Sequence, residues 1–126
     1  MSIRYVIVDD APFVREVLKA LMSSLGHQCV GEADDGRQAI DIVLKTLPQL
    51  IFLDLVLPRK NGVEVRKDLK DHWPEAKVVA CSTLKPEELP QPQDAELFDG
   101  YLVKPFDLSA VENILRNLNL ATEVTP

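Results

Sequence analysis

The sequence predicts an α/β domain built around a parallel sheet. Short apolar runs alternate with segments whose apolar residues recur at helical spacing, an alternation typical of strands joined by helices. The runs are also apolar at nearly every position, as in Leu50-Ile51-Phe52-Leu53, which favours strands buried on both faces. Right-handed crossovers between such strands bring their carboxyl ends to one edge of the sheet, where α/β proteins bind ligands.

Five segments are predicted strands, and four of them are short apolar runs. In chain order they are residues 5–8, 28–32, 50–53, 78–81 and 101–103. The first helix follows Asp10, and its apolar residues recur at helical spacing until Gly26 ends it. The second helix spans Gly36 to about Leu47, and Pro48 closes it.

The second half of the chain supplies two further helices. The third helix has an apolar residue at every fourth position, at Val65, Leu69 and Trp73. This helix is predicted to end near Pro74, whereas residues 84–100 are irregular. The apolar residues of the last helix are Val111, Ile114, Leu115 and Leu118. Its N-cap is either Ser109, in a capping box with Glu112, or Asp107.

Polar residues of three kinds follow four of the predicted strands. Asp9 and Asp10 follow the first strand, Asp54 the third, Ser82 the fourth and Lys104 the fifth. If the strands are parallel, three carboxylates, a hydroxyl and an ammonium meet at one edge of the sheet. That combination suits a divalent metal ion and a phosphoryl group.

The three carboxylates predict a site that needs a cation. Two charges about 4 Å apart, at an effective dielectric constant near 20, repel by about 4 kcal/mol. Such repulsion raises carboxylate pKa values, and Mg²⁺ with its preference for oxygen ligands relieves it. A simpler reading of Asp9 and Asp10 is that they supply an N-cap and a first-turn acid to the first helix.

The length and net charge of the chain indicate how many domains it has and which classes of partner it does not bind. A chain of 126 residues predicts one domain, here residues 1–120, followed by a tail or linker stub at 121–126. The net charge of −6 argues against direct nucleic-acid binding and against anionic membranes. No apolar run approaches the roughly 20 residues that span a bilayer, and no signal-peptide pattern is visible, so we expect a cytoplasmic protein.

Taken in order, these motifs resemble those of response-regulator receiver domains, the phosphoacceptor domains of two-component signalling. The matching motifs are Asp9-Asp10, Asp54, Leu57-Pro58 with Asn61-Gly62, Ser82, and Lys104-Pro105-Phe106. The resemblance covers roughly residues 3–120. It implies a flavodoxin-like, doubly wound sheet of five parallel strands in the order 2-1-3-4-5, flanked by five helices.

The resemblance also implies roles for the acidic residues. Asp54 matches the aspartate that accepts a phosphoryl group from a phosphohistidine donor. Asp10 and Asp54 match direct Mg²⁺ ligands, together with the backbone carbonyl of Val56, and Asp9 matches an acid that acts through water.

The remaining motif residues match the parts that hold and sense the phosphoryl group. Lys104 matches the family lysine that offsets its charge, and Pro105 implies a cis peptide bond. Ser82 matches the hydroxyl that moves toward the phosphoryl group, and Tyr101 the aromatic side chain that then turns inward. Thr83 is bulkier than the small residue usual at its position.

The fourth helix of the family is expected to be absent here or reduced to a turn or two. Its place in the sequence holds Pro86, Pro90 and Pro92. A proline is tolerated in a first turn, but each of the other two would cost about 3 kcal/mol in a helix interior.

A phosphorylation-controlled switch is therefore the predicted function, and the chain is not expected to be an enzyme beyond assisting its own phosphorylation and dephosphorylation. The implied partners are a histidine kinase or histidine phosphotransfer protein and an unknown output domain or protein. One alternative is a pseudo-receiver that binds partners without phosphorylation. Another is a Mg²⁺-dependent phosphohydrolase, disfavoured because Val56 stands where such enzymes carry a second acid.

Overall fold

The sheet has five parallel strands, and helices cover both of its faces, as the sequence predicts. The computed structural model describes residues 2–120, so the predicted tail at 121–126 lies outside the described residues. The strands are β1 (Arg4–Val8), β2 (Gln28–Ala33), β3 (Leu50–Asp54), β4 (Lys77–Ser82) and β5 (Gly100–Val103). Their order in the sheet is β2-β1-β3-β4-β5, which confirms the expected topology.

Four α-helices connect or follow the strands within the described part of the chain. They are α1 (Pro12–Ser24), α2 (Gly36–Thr46), α3 (Gly62–His72) and α4 (Leu108–Asn117). No helix among residues 2–120 combines the length and apolar character needed to cross a bilayer.

The helix starts follow local sequence signals. Asp35 caps α2 by accepting hydrogen bonds from the backbone N–H groups of Arg37 and Gln38. Asn61 and Glu64 form a capping box at the start of α3. Of the two predicted N-caps of α4, Asp107 is the one observed.

Alternate residues of each strand pack on opposite faces of the sheet, which divides the core in two. Beneath α2 and α3 the strands contribute Val6, Val8, Ile51, Leu53, Val78 and Ala80. Beneath α1 and α4 they contribute Tyr5, Ile7, Leu50, Phe52, Val79 and Cys81. Because both faces are covered, β1, β3 and β4 are apolar at nearly every position.

The segment between β4 and β5 forms no α-helix, which confirms the predicted disruption of the fourth helix. It contains two short 3₁₀ helices, Pro86–Glu88 and Pro92–Leu97, each of which begins at a proline. The buried Phe98 packs with the core beneath α2 and α3. The Arg66 guanidinium on α3 donates from Nε to the Leu97 carbonyl at 2.6 Å, which fixes the end of the segment.

Candidate functional site

The three predicted carboxylates meet at the carboxyl edge of the sheet. Val8 lies beside Leu53 in the β1–β3 pairing, so Asp9 and Asp54 leave neighbouring strands at the same level. One carboxylate oxygen from each of Asp9, Asp10 and Asp54 lies within 4.8 Å of the others. Asp9 and Asp54 are buried, at 2% and 7% exposure, whereas Asp10 is exposed.

The acid pair does not cap α1. Ala11 is the N-cap residue of that helix, and no side chain caps it. The Asp9 carboxylate instead accepts a hydrogen bond from the Ala11 N–H at 2.9 Å, which closes a local turn ahead of the helix. The structure therefore contradicts the simpler reading of Asp10 as a helix cap.

Lys104 brings a positive charge into this cluster. Its Nζ lies 2.8 Å from Asp9 Oδ2 and 3.5 Å from Asp54 Oδ2. Its backbone N–H donates to the Ser82 carbonyl at 2.7 Å, which continues the β4–β5 pairing beyond the last strand residue. The Lys104–Pro105 peptide bond is cis.

The surroundings of Asp54 perturb its ionisation. Burial raises the pKa of Asp54 to about 6, and the nearby charge of Asp9 adds to the increase. The ammonium of Lys104 and a hydrogen bond from the Val56 N–H at 3.2 Å act in the opposite direction. Burial alone would lower the pKa of Lys104, but its hydrogen bond to Asp9 and the charge of Asp54 raise it.

Ser82 and Tyr101 are linked through the backbone of Leu84. Ser82 ends β4, is 5% exposed, and accepts a hydrogen bond at Oγ from the Leu84 N–H at 3.0 Å. The Tyr101 hydroxyl donates to the Leu84 carbonyl at 2.7 Å. A movement of either side chain would therefore change a hydrogen bond to the Leu84 backbone.

Thr83 is exposed and lines an apolar depression of about 320 Å³ beside Lys104. Phe13 and Phe106 also line this depression, and the Phe13 side chain is 78% exposed. The depression therefore opens next to the carboxylate cluster.

The loop that follows Asp54 is held by an ion pair that no sequence motif indicates. The Arg59 guanidinium pairs with the buried Asp35 carboxylate at 2.9 Å, which ties the loop to the start of α2. Arg59 itself has a φ of 68°, in the left-handed region that non-glycine residues rarely adopt. The sequence Asp34-Asp35-Gly36 is a recognisable helix start, but nothing in the sequence points to Arg59 as the partner of Asp35.

A glycine follows the same loop at the start of α3. A Cβ added to Gly62 would lie 2.4 Å from the Asp54 carbonyl oxygen and 2.7 Å from the Leu55 Cα. Both are backbone atoms that cannot turn away, so glycine is required for this close approach.

Comparison with known proteins identifies the family. The family model described as the response regulator receiver domain matches residues 5–116. This chain belongs to the response-regulator receiver family. Receiver domains act in two-component signalling and are not classical enzymes.

Individual relatives agree with this assignment. The chemotaxis protein CheY of Thermotoga maritima is 30% identical over 119 residues, which cover 94% of this chain and 99% of that protein. The transcriptional regulatory protein DegU of Brevibacillus brevis is 32% identical over 111 residues, 87% of this chain but 47% of DegU. The solved structure of a CheY-like receiver domain from Methylobacillus flagellatus has a TM-score of 0.82 and 31% identity, and covers 94% of this chain and 99% of that domain.

Proposed function

We propose that this receiver domain accepts a phosphoryl group on Asp54 from a phosphohistidine donor, in a Mg²⁺-dependent reaction, and thereby changes a surface that a partner reads. The observation that carries the proposal is the position of Asp54. Its carboxylate lies within 4.8 Å of two other acids and 3.5 Å from the ammonium of Lys104.

The donor set of this cluster fits Mg²⁺. Receiver domains bind Mg²⁺ at an acidic pocket, and the three carboxylates here offer only the hard oxygen ligands that Mg²⁺ prefers. Asp10, Asp54 and the backbone carbonyl of Val56 would hold the ion directly, and Asp9 through water. When bound, the ion supplies positive charge to the transferring phosphoryl oxygens.

Asp54 and Lys104 have different roles in the proposed phosphoryl transfer. An oxygen of Asp54 attacks phosphorus as the phosphorus–nitrogen bond to the donor imidazole breaks, and the bond electrons stay with that imidazole. Lys104 is already held at the cluster by Asp9 and can pair with a phosphoryl oxygen. The donor would reach Asp54 from the side of the exposed Asp10 and the apolar depression around Phe13.

The proposed switch uses the hydrogen bonds around Leu84. The Ser82 hydroxyl would donate its proton to a phosphoryl oxygen and move toward it. This movement would displace the oxygen that accepts the hydrogen bond from the Leu84 N–H. Tyr101 is bound to the same Leu84 and would change its position with it. The output would be a domain or protein that distinguishes these two arrangements.

We take residues 1–120 as the receiver domain, 121–126 as a tail or linker, and the cytoplasm as the place where it works. The match to DegU covers less than half of that regulator, which shows that similar receiver domains also occur within longer proteins. The net charge of −6 disfavours nucleic acid or an anionic membrane as a direct partner of this domain.

Intact-mass measurement tests the proposal. The wild type and Asp54→Asn are incubated with acetyl phosphate and Mg²⁺, and a matched sample contains EDTA. We expect one phosphoryl group on the wild type with Mg²⁺ and none on the other samples. An unmodified wild type would instead favour a binding module that works without phosphorylation.

A further inference from the structure

Every polar group of Asp9 has a hydrogen-bond partner. Its N–H donates to the Ala33 carbonyl at 3.0 Å, and its carboxylate accepts from the Ala11 N–H at 2.9 Å and from Lys104 Nζ at 2.8 Å. Its own carbonyl accepts from Nη1 of Arg15 at 2.6 Å. Arg15 thus supplies a contact to the acid pair that the transfer mechanism above does not use.

Arg15 reaches Asp9 from the end of the first turn of α1 and is itself anchored. Its Nε donates to a carboxylate oxygen of Glu32, on β2, at 3.0 Å. The Arg15 side chain is 19% exposed and that of Glu32 is 33% exposed, so the pair is partly shielded from solvent. Lys19, one turn further along α1, binds the other oxygen of Glu32 at 2.8 Å but has no hydrogen bond to Asp9.

The bond from Arg15 constrains Asp10 as well as Asp9. The Asp9 carbonyl belongs to the peptide unit that also contains the N and Cα of Asp10, and that unit is planar. Fixing the direction of the carbonyl therefore fixes the point from which the Asp10 side chain starts. Asp10 is the exposed member of the cluster, and α1 begins after it without a side-chain cap.

We propose that Arg15 is a positioning residue that holds the Asp9–Asp10 peptide so that the two carboxylates converge with Asp54 on one Mg²⁺ ion. This inference rests on the proposed function. Arg15 does not touch the reacting atoms: it acts through the backbone of Asp9, and Glu32 orients its guanidinium. Outer contacts of this kind typically change metal affinity by about 10- to 100-fold when they are removed.

Isothermal titration with MgCl₂ alone tests the proposal on the full chain. The key comparison is Arg15→Met against Lys19→Met, because both remove one positive charge that pairs with Glu32 and only the first removes the bond to Asp9. We expect the Mg²⁺ dissociation constant of Arg15→Met to rise at least about tenfold. Lys19→Met should stay within about twofold of the wild type, as a control without a bond to the site.

A second variant, Arg15→Lys, distinguishes the geometry of the Arg15 contacts from the charge of the side chain. It is also the milder of the two changes to the fold. Arg15→Lys keeps the charge but cannot bind Glu32 and the Asp9 carbonyl through a planar fork. Its Mg²⁺ affinity should lie between those of the wild type and Arg15→Met. Wild-type affinity in either Arg15 variant, or an equal loss in Lys19→Met, would overturn the proposal.

Phosphorylation kinetics distinguish a failure of this inference from a failure of the proposed function. With acetyl phosphate, the Mg²⁺ concentration that gives half of the maximal rate should rise in Arg15→Met, while the rate at saturating Mg²⁺ stays near that of the wild type. If the wild type is phosphorylated and the half-saturating concentration does not change, Arg15 has no positioning role. If the wild type is not phosphorylated at all, the proposed function itself fails.

Discussion

Lys104 lies closer to Asp9 than to Asp54, the residue that we propose accepts the phosphoryl group. The distances from its Nζ are 2.8 Å to Asp9 and 3.5 Å to Asp54. Asp9 is the more deeply buried of the two acids, and its ion pair holds the ammonium of Lys104 beside Asp54. The ammonium keeps further N–H donors that a group on Asp54 can use. A phosphoryl group on Asp54 would find a cation that is already held in place.

Replacement of Lys104 by methionine should slow phosphorylation by a small phosphodonor about 100-fold, as the loss of one preorganised donor to a developing charge typically does. The pKa of Asp54 should also rise further, because Lys104 is one of the groups that lower it. A time course of intact mass at several pH values measures both effects. Lys70→Met, at an exposed position of α3, is the control and should behave as the wild type. An unchanged rate in Lys104→Met would remove Lys104 from the mechanism.

Asp54→Asn should stabilise the metal-free protein at neutral pH. Burial raises the pKa of Asp54 from its ordinary value of 3.8 to about 6. The unfolded chain therefore ionises first, and the wild type loses stability as the pH rises from about 4 to 6. Since Lys104 and the open edge of the site screen part of this charge, the difference should reach about 1–2 kcal/mol above pH 6 and vanish below about pH 4.

Urea unfolding in EDTA at pH 4 and pH 7.5 measures this difference. Asp71→Asn removes an exposed carboxylate of α3 and serves as the control, with no comparable gain expected. Saturating Mg²⁺ should stabilise the wild type but not Asp54→Asn, because only the wild type keeps the full set of acidic ligands. A variant that is less stable than the wild type at pH 7.5 in EDTA would show that ionised Asp54 is not under strain.

Gly62→Ala should damage both stability and phosphorylation. The added methyl group would approach the Asp54 carbonyl and Leu55 Cα, so the backbone that carries Asp54 must move. Overpacking of this kind costs about 1–3 kcal/mol. Thermal unfolding and the phosphorylation rate should therefore decline together.

Gly100→Ala is the matched control for that experiment. Its Cβ would meet the side-chain ends of Ile114 at 3.3 Å and Val79 at 3.4 Å, which can adjust by small rotations. This variant should keep its phosphorylation rate and most of its stability. If Gly62→Ala proves equally mild, the loop after Asp54 is more adaptable than its contacts indicate.

The sequence predicted the fold because its signals were local and repeated. Uniformly apolar runs separated by helical segments specify parallel strands, and that arrangement alone places Asp9, Asp54 and Lys104 at one edge. The prolines at 86, 90 and 92 likewise predicted the loss of a helix from a property of each residue. The identity of the α4 N-cap stayed open because Asp107 and Ser109 both carry suitable side chains.

The supporting contacts could not be predicted in the same way. Arg15 and Glu32 are separated by 17 residues, Arg59 and Asp35 by 24, and Arg66 and Leu97 by 31. Each pair meets only when the sheet is assembled, and a surface arginine has the same local sequence pattern as a buried one. The capping role considered for Asp10 failed because α1 begins one residue later than that role requires, with Ala11 at the N-cap position before Pro12.

Arg66→Met should loosen the segment that replaces the fourth helix. Arg66 is only 7% exposed, and besides the Leu97 carbonyl its guanidinium contacts the Asp99 carboxylate at 3.4 Å. Asp99 in turn accepts a hydrogen bond from the Val78 N–H at 2.8 Å, so the arginine links α3, β4 and the end of the segment. Its loss should cost about 1–3 kcal/mol, since a partly buried carbonyl is left without its donor.

Hydrogen exchange locates the effect of that substitution. Faster exchange is expected at residues 94–99, whereas exchange of the β1 and β3 amides should accelerate only in proportion to the global loss of stability. Arg116→Met, which removes an exposed guanidinium that contacts Asn113 on the same helix, is the control. Leu84 precedes this segment and Tyr101 follows it. A loosened segment should therefore also weaken the hydrogen bond from the Tyr101 hydroxyl to the Leu84 carbonyl. If exchange at 94–99 matches the wild type while stability falls, Arg66 supports the core beneath α3 and does not hold the proline-rich segment.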